Sequence, residues 1–140
     1  MSQQNIEVTR AIYTRWNSGE RPDPAEFCDP AVELESPFAS VFGEPYRGYA
    51  GIEQWIRDVD EQFSEWRVEV DDIRAVGDTV ITIGRVAGRG HASGISFERP
   101  TAWVSDFGAD HRLKRVRIYV DVQQALEDMG LGTGNNPRPR

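Results

Sequence analysis

Apolar residues recur at helical spacing near the start of this chain and at every second position further on. From Gln4 to Asn17 the stripe Ile6, Val8, Ala11, Ile12, Tyr13 and Trp16 predicts a helix, which Asn17-Ser18-Gly19 stops. Pro24 to Cys28, bracketed by Pro22 and Pro30, reads as one helical turn, and Ala31 to Glu35 alternates as a short strand that Ser36-Pro37 ends. A Phe-, Gly- and Pro-containing loop covers 38–48. Tyr49 to Ser64 is the clearest helix, because Ile52, Trp55, Ile56, Val59 and Phe63 share one face and Glu53, Arg57, Asp60 and Glu61 the other. The period then changes to two. Trp66, Val68 and Val70 alternate with charged residues to Asp71, and Gly77-Asp78 marks a hairpin. Strands follow at Thr79 to Arg89, Ile95 to Phe107 and Leu113 to Val120, separated by breaks at 90–94 and 108–111. Pro100 marks a bulge or an edge, and Gln123 to Met129 is a closing helix with Gly130 at its end.

Helices first and a run of hairpin-linked strands afterwards predict the α+β class with an antiparallel sheet. Four or five long strands beside two amphipathic helices must curl to cover them. The expected architecture is a cone closed by the N-terminal helices, a cystatin-like α+β barrel. Residues 1–131 form one domain, and 132–140, with Gly, Asn and Pro and little apolar content, read as a disordered tail.

Composition narrows the function classes. A net charge of -7 leaves no electrostatic footprint for nucleic acid or an anionic membrane surface. No apolar run approaches the roughly 20 residues of a membrane helix. The polar start and the single cysteine, Cys28, fit a cytoplasmic chain without an intrachain disulfide. Cys28 reads as buried filler rather than a nucleophile. The two histidines, His91 in a Gly-rich break and His111 in a turn, lack metal-ligand spacing, so no metal is expected. His91 is either an exposed turn residue or a polar, catalytic contact to a ligand. Among the aromatic residues, Tyr13, Trp16, Phe38, Trp55 and Trp103 are the expected lining of an apolar pocket; core packing is the alternative.

Four stretches carry a family likeness: Trp16-Asn17-Ser18-Gly19-Glu20, Tyr46-Arg47-Gly48-Tyr49-Ala50-Gly51-Ile52, Gly88-Arg89-Gly90-His91-Ala92-Ser93-Gly94, and Arg117-Ile118-Tyr119-Val120-Asp121 followed by Ala125-Leu126-Glu127. With the element order, they make the chain resemble the nuclear transport factor 2-like superfamily, in particular its SnoaL-like branch, over about residues 5 to 131. That superfamily spans cyclases, isomerases, dehydratases, epoxide hydrolases and binding domains, so the likeness speaks for the fold more than for an activity.

The resemblance implies Asp121 as a catalytic acid/base, since SnoaL-type cyclases carry an aspartate near the end of the last strand. The residues themselves offer a second role, because Asp121 with Gln124 forms a capping-box pattern at a helix start. Arg117 and Tyr119 share the parity of Asp121. If this face lines the cavity, Tyr119 joins the catalytic set and Arg117 the ligand contacts, while the aliphatic face of Val116, Ile118 and Val120 is covered by a second subunit. The pattern alone puts those aliphatics in the core instead. The groups of the related steroid isomerases are missing: Ser36 precedes Pro37 where a base aspartate belongs, the helical tyrosine position falls on Ile12, and Trp103 replaces the second acid.

The expected function is a small-molecule pocket, with acid/base chemistry of cyclase, isomerase or dehydratase type on an apolar carbonyl compound and no cofactor. Non-catalytic ligand binding or a dimeric interaction domain is the alternative. The expected partners are a small apolar molecule and a second copy of the chain across the sheet face.

Overall fold

Helix α1 (Ser2–Asn17) and helix α3 (Gly48–Gln62) lie against one face of a six-stranded sheet. The computed structural model describes residues 2–37 and 44–131. Between the helices run the short helix α2 (Pro24–Phe27) and strands β1 (Cys28–Glu35) and β2 (Tyr46–Arg47). Strands β3 (Phe63–Val76), β4 (Thr79–Gly90), β5 (Ser96–Phe107) and β6 (Leu113–Tyr119) follow as a meander, and helix α4 (Val122–Asp128) ends the fold. The spatial order is β2-β1-β6-β5-β4-β3. The sheet curls around the helices without closing, the α+β cone anticipated from the pattern. Phe38 and the tail 132–140 lie outside the described residues.

One pairing departs from the antiparallel expectation. β1 runs parallel to β6, with Leu34 opposite Val116, because α3 and the whole β3–β5 meander intervene before the chain returns beside it. β3 also outlasts the alternation read from the sequence. A register irregularity between Val70 and Asp72 switches parity, so Ile73 rejoins the inner side across from Thr82 of β4. Pro100 sits beyond the last β6 partner of β5, Ala102, where β5 is locally an edge strand.

Gly84, on the inner face of β4, permits a close approach of β3. A Cβ there would stand 1.9 Å from the Glu69 carbonyl oxygen, so only glycine lets the irregular part of β3 come this close.

The two faces of the sheet are covered differently. Trp66, Val68, Val86, Trp103 and Ile118 turn inward with Trp16 and Val59. On the outer face, Ile81, Ala102 and Val104 are buried under α4 through Ala125. Farther along this face Arg85 lies 3.2 Å from each of Glu69, Asp71 and Glu98.

Candidate functional site

A cavity of about 140 Å³ lies between the two long helices and the inner face of the sheet. Helical spacing presents Ile12, Tyr13 and Trp16 from α1, and Ile52, Trp55 and Ile56 from α3. The period of two brings Trp66 and Val68, Trp103 and Ser105, and Val116 and Ile118 from β3, β5 and β6 onto its floor. Pro22, Pro24, Phe27 and Cys28 complete the wall at the α2 corner. All four tryptophans of the chain therefore face one space.

Ring geometry gives the wall its shape. Trp16 and Trp55 stand with centroids 5.9 Å apart, and Tyr13 and Trp103 5.6 Å apart at 54°. The Trp16 indole is fixed by donating from Nε1 to the Trp66 carbonyl at 2.9 Å. The Trp55 Nε1 is buried without an acceptor.

None of the described lining residues is an acid, a histidine, a lysine or an arginine. The titratable lining residues are Tyr13 and Cys28. Burial pushes the Tyr13 phenol far above its ordinary value, an effect the neighbouring Thr82 hydroxyl partly offsets. Burial likewise pushes the Cys28 thiol up to about 11, against the pull of the Arg112 charge. Both groups keep their protons at neutral pH. Among the described residues no cluster of three or more His, Cys, Asp or Glu side chains is placed to hold a metal ion.

Tyr13, Trp16, Trp55 and Trp103 stand on the cavity wall. Asp121, Tyr119, Arg117 and His91 do not. Asp121 is exposed and caps α4, accepting the Gln124 N–H at 3.2 Å. Tyr119 donates to Asp128 at 2.8 Å, and its hydroxyl is raised by burial first and by Asp128 second. Arg117 reaches Asp106 at 3.7 Å and Tyr119 at 3.4 Å. These three residues belong to the outer face that α4 partly covers, and the cavity takes Val116 and Ile118 instead. The expectation that their parity lines the cavity is thereby corrected: the aliphatic face of β6 is buried within the chain, so it needs no second subunit. Val120, beyond the strand, is exposed. His91 is exposed in the β4–β5 turn, where its N–H donates to the Gln62 carbonyl at 2.9 Å. His111, in its turn, is half-buried, adopts φ 62°, and pairs its Nδ1 with Asn5 Oδ1 at 2.9 Å.

Sequence reasoning missed Trp66 and the Pro22–Cys28 corner as lining. The alternation of Trp66, Val68 and Val70 already carried the first signal. The second depends on how α2 folds over the cavity, which no local pattern expresses.

The SnoaL-like domain family matches residues 9–116. No curated protein matches the chain. Among solved structures, the chain is similar to an NTF2-like protein of unknown function from Burkholderia pseudomallei, with 18% identity, a TM-score of 0.75, and 88% of this chain and 95% of that one covered. TerC, co-crystallised with polyporic acid, shares 19% identity at a TM-score of 0.70, with coverage of 88% and 95%. A protein of ketosteroid isomerase-like fold from Catenulispora acidiphila, in complex with trimethylamine, shares 16% at 0.69, with coverage of 94% and 98%. These likenesses establish the fold, and the family match spans most of it: the chain belongs to the SnoaL-like domain family.

Proposed function

We propose that this SnoaL-like domain binds a small, largely apolar molecule inside its cone, without acid/base turnover. The observation that carries this reading is the cavity wall itself. It gathers four tryptophans and holds no charged side chain among its described residues. Aromatic walls with few polar groups suit apolar ligands. Proton transfer at a carbon acid calls for a base within hydrogen-bond reach, and the segment 38–43 contains no acid or histidine to add one. Tyr13, Trp16, Trp55 and Trp103 are the proposed ligand contacts. The ligands held by TerC and the Catenulispora protein fit a fold that encloses small molecules.

Intrinsic fluorescence tests the reading, because every indole borders the cavity. Titration with ethylbenzene is expected to change the tryptophan emission saturably and to raise the melting temperature, as any ligand of the folded state does. An unsaturable response with no thermal shift overturns it. Incubation with acetophenone in D2O separates binding from acid/base chemistry. The expected methyl-proton exchange is that of buffer alone, and protein-catalysed exchange would restore the enzymatic reading.

The proposal includes a homodimer through the outer sheet face. It is supported by the limited reach of α4, which buries Ile81, Ala102 and Val104 but leaves Ile83 and Ala87 half-buried along β4. Sedimentation at micromolar concentration is expected to give twice the chain mass, and a monomer removes this part.

A further inference from the structure

We infer that the cavity selects an uncharged, single-ring ligand bearing one hydrogen-bond acceptor, which the Tyr13 hydroxyl receives with Thr82 as the positioning residue behind it. This deepens the ligand-binding reading and rests on it.

Thr82 is an anomaly in the core. It is fully buried on the inner face of β4, and its Oγ1 makes no hydrogen bond of ordinary geometry, the Tyr13 phenol being the polar group beside it. Valine would fill the same volume without an unmatched hydroxyl, which costs stability when buried. Its cross-strand partners are Trp103 on β5 and Ile73 on β3. Tyr13 descends on this spot from α1, packs 5.6 Å from the Trp103 ring, and brings its phenol beside the Thr82 hydroxyl. Thr82 thus stands behind the wall rather than on it, and the Tyr13 phenol in front of it joins Ser105, Trp55 Nε1 and Thr9, whose hydroxyl donates to the Asn5 carbonyl, as the polar groups of a mostly apolar lining. The Thr82 hydroxyl can turn toward the phenol oxygen, which leaves the phenol proton to point at a ligand oxygen.

The chemistry of this corner restricts what fits. Burial keeps the Tyr13 phenol protonated, so it remains a donor across the neutral range. A carboxylate or phenolate would enter a space whose described wall holds no cation, and a buried charge without a partner is strongly disfavoured. A ketone, an aldehyde or an ether oxygen satisfies the phenol at no such cost. The volume, about 140 Å³, matches the roughly 150 Å³ engineered cavity known to accept benzene, which sets the scale at one ring.

The test compares two probes of nearly equal shape, acetophenone and α-methylstyrene, which differ by C=O against C=CH2. Wild type is expected to bind acetophenone about tenfold more tightly, the upper range for one hydrogen bond. The ratio is expected to fall to about one in Tyr13→Phe. It should fall part-way in Thr82→Val, which is isosteric and keeps the test alive if the tyrosine variant folds poorly, and recover in Thr82→Ser. Because each ratio is internal to one variant, a general loosening of the fold leaves it unmoved. Equal binding of both probes to wild type overturns this inference and keeps the pocket. A ratio that survives in Tyr13→Phe also overturns it, as does benzoate binding as tightly as acetophenone. Binding of neither probe overturns the pocket reading as well.

Discussion

Asn17 and Val68 are joined by two hydrogen bonds that copy a strand pairing. The Asn17 amide nitrogen donates to the Val68 carbonyl at 2.7 Å, and its oxygen accepts the Val68 N–H at 2.9 Å. β3 is an outer strand of the sheet, so a side chain at the end of α1 occupies part of an edge that would otherwise be open. With the Trp16 bond to the Trp66 carbonyl, the helix end is stitched to the strand that floors the cavity. Asn17→Ala should lower stability by about 1–2 kcal/mol, read by urea denaturation, since the two bonds go and the backbone groups turn back to water. An unchanged midpoint would mean that solvent replaces the amide at no cost.

The exposed position of Asp121 makes it a helix cap. Asp121→Ala should destabilise the fold by about 0.5–2 kcal/mol and leave the affinity for ethylbenzene where it was. A thermal melt with and without ligand reads both effects. A stabilised variant that loses ligand binding would return Asp121 to the pocket.

Cys28 links the cavity to alkaline stability. Its thiol ionises near 9.0 when free and near 11 when folded. Between these values the unfolded chain loses its proton while the folded chain keeps it, so rising pH favours unfolding. Below this window the contribution is fully present, and through it stability should fall by at most about 1.4 kcal/mol per pH unit. Comparing Cys28→Ala with wild type from pH 8 to 11 isolates the effect from the tyrosines, whose raised values act in the same direction. Parallel curves for the two proteins would remove Cys28 from the explanation.

Arg112 braces the α2 corner of the cavity. Its guanidinium donates to the Cys28 carbonyl from Nε at 3.1 Å and from Nη2 at 2.9 Å, and also to the Ala25 carbonyl. A lysine ammonium lacks the rigid fork that spans both carbonyls. Arg112→Lys should cost about 1–3 kcal/mol in denaturant and speed ligand release in stopped-flow fluorescence. A stability loss without faster release would confine the role of the brace to the fold.

Much of this architecture is legible in the residues. Ile52, Trp55, Ile56 and Val59 mark α3 without ambiguity, and Gly77-Asp78 places the β3–β4 hairpin. The facing of β6 is harder. Val116 and Ile118 announce a buried side, but the family likeness drew attention to Arg117, Tyr119 and Asp121 on the opposite one. Local pattern proved the better guide there, as did the capping box at Asp121. What no period of two or 3.6 conveys is the parity switch after Val70, which depends on a bulge held in place by Gly84. Nor does it convey the parallel pairing of β1 with β6, a partnership between segments far apart in sequence. Thr82 carries no signal in the sequence, because a threonine among the valines and isoleucines of a strand looks ordinary until its surroundings are known.

The division of the cavity wall between early and late segments bears on how the chain comes to be folded during synthesis. Its roof, from α1 and α3, and the β1 part of its wall precede residue 63, while the floor strands β3, β5 and β6 follow, ending at Tyr119. A chain made from its N-terminus therefore presents Ile12, Trp16, Ile52 and Trp55 with only β1, through Val32 and Leu34, available to cover them. The parallel β1–β6 seam, which needs both ends of the domain, can form only after nearly all of it has left the ribosome. The meander can assemble hairpin by hairpin, whereas the ligand chamber is a late product of long-range closure, and nascent chains are most open to aggregation just before it.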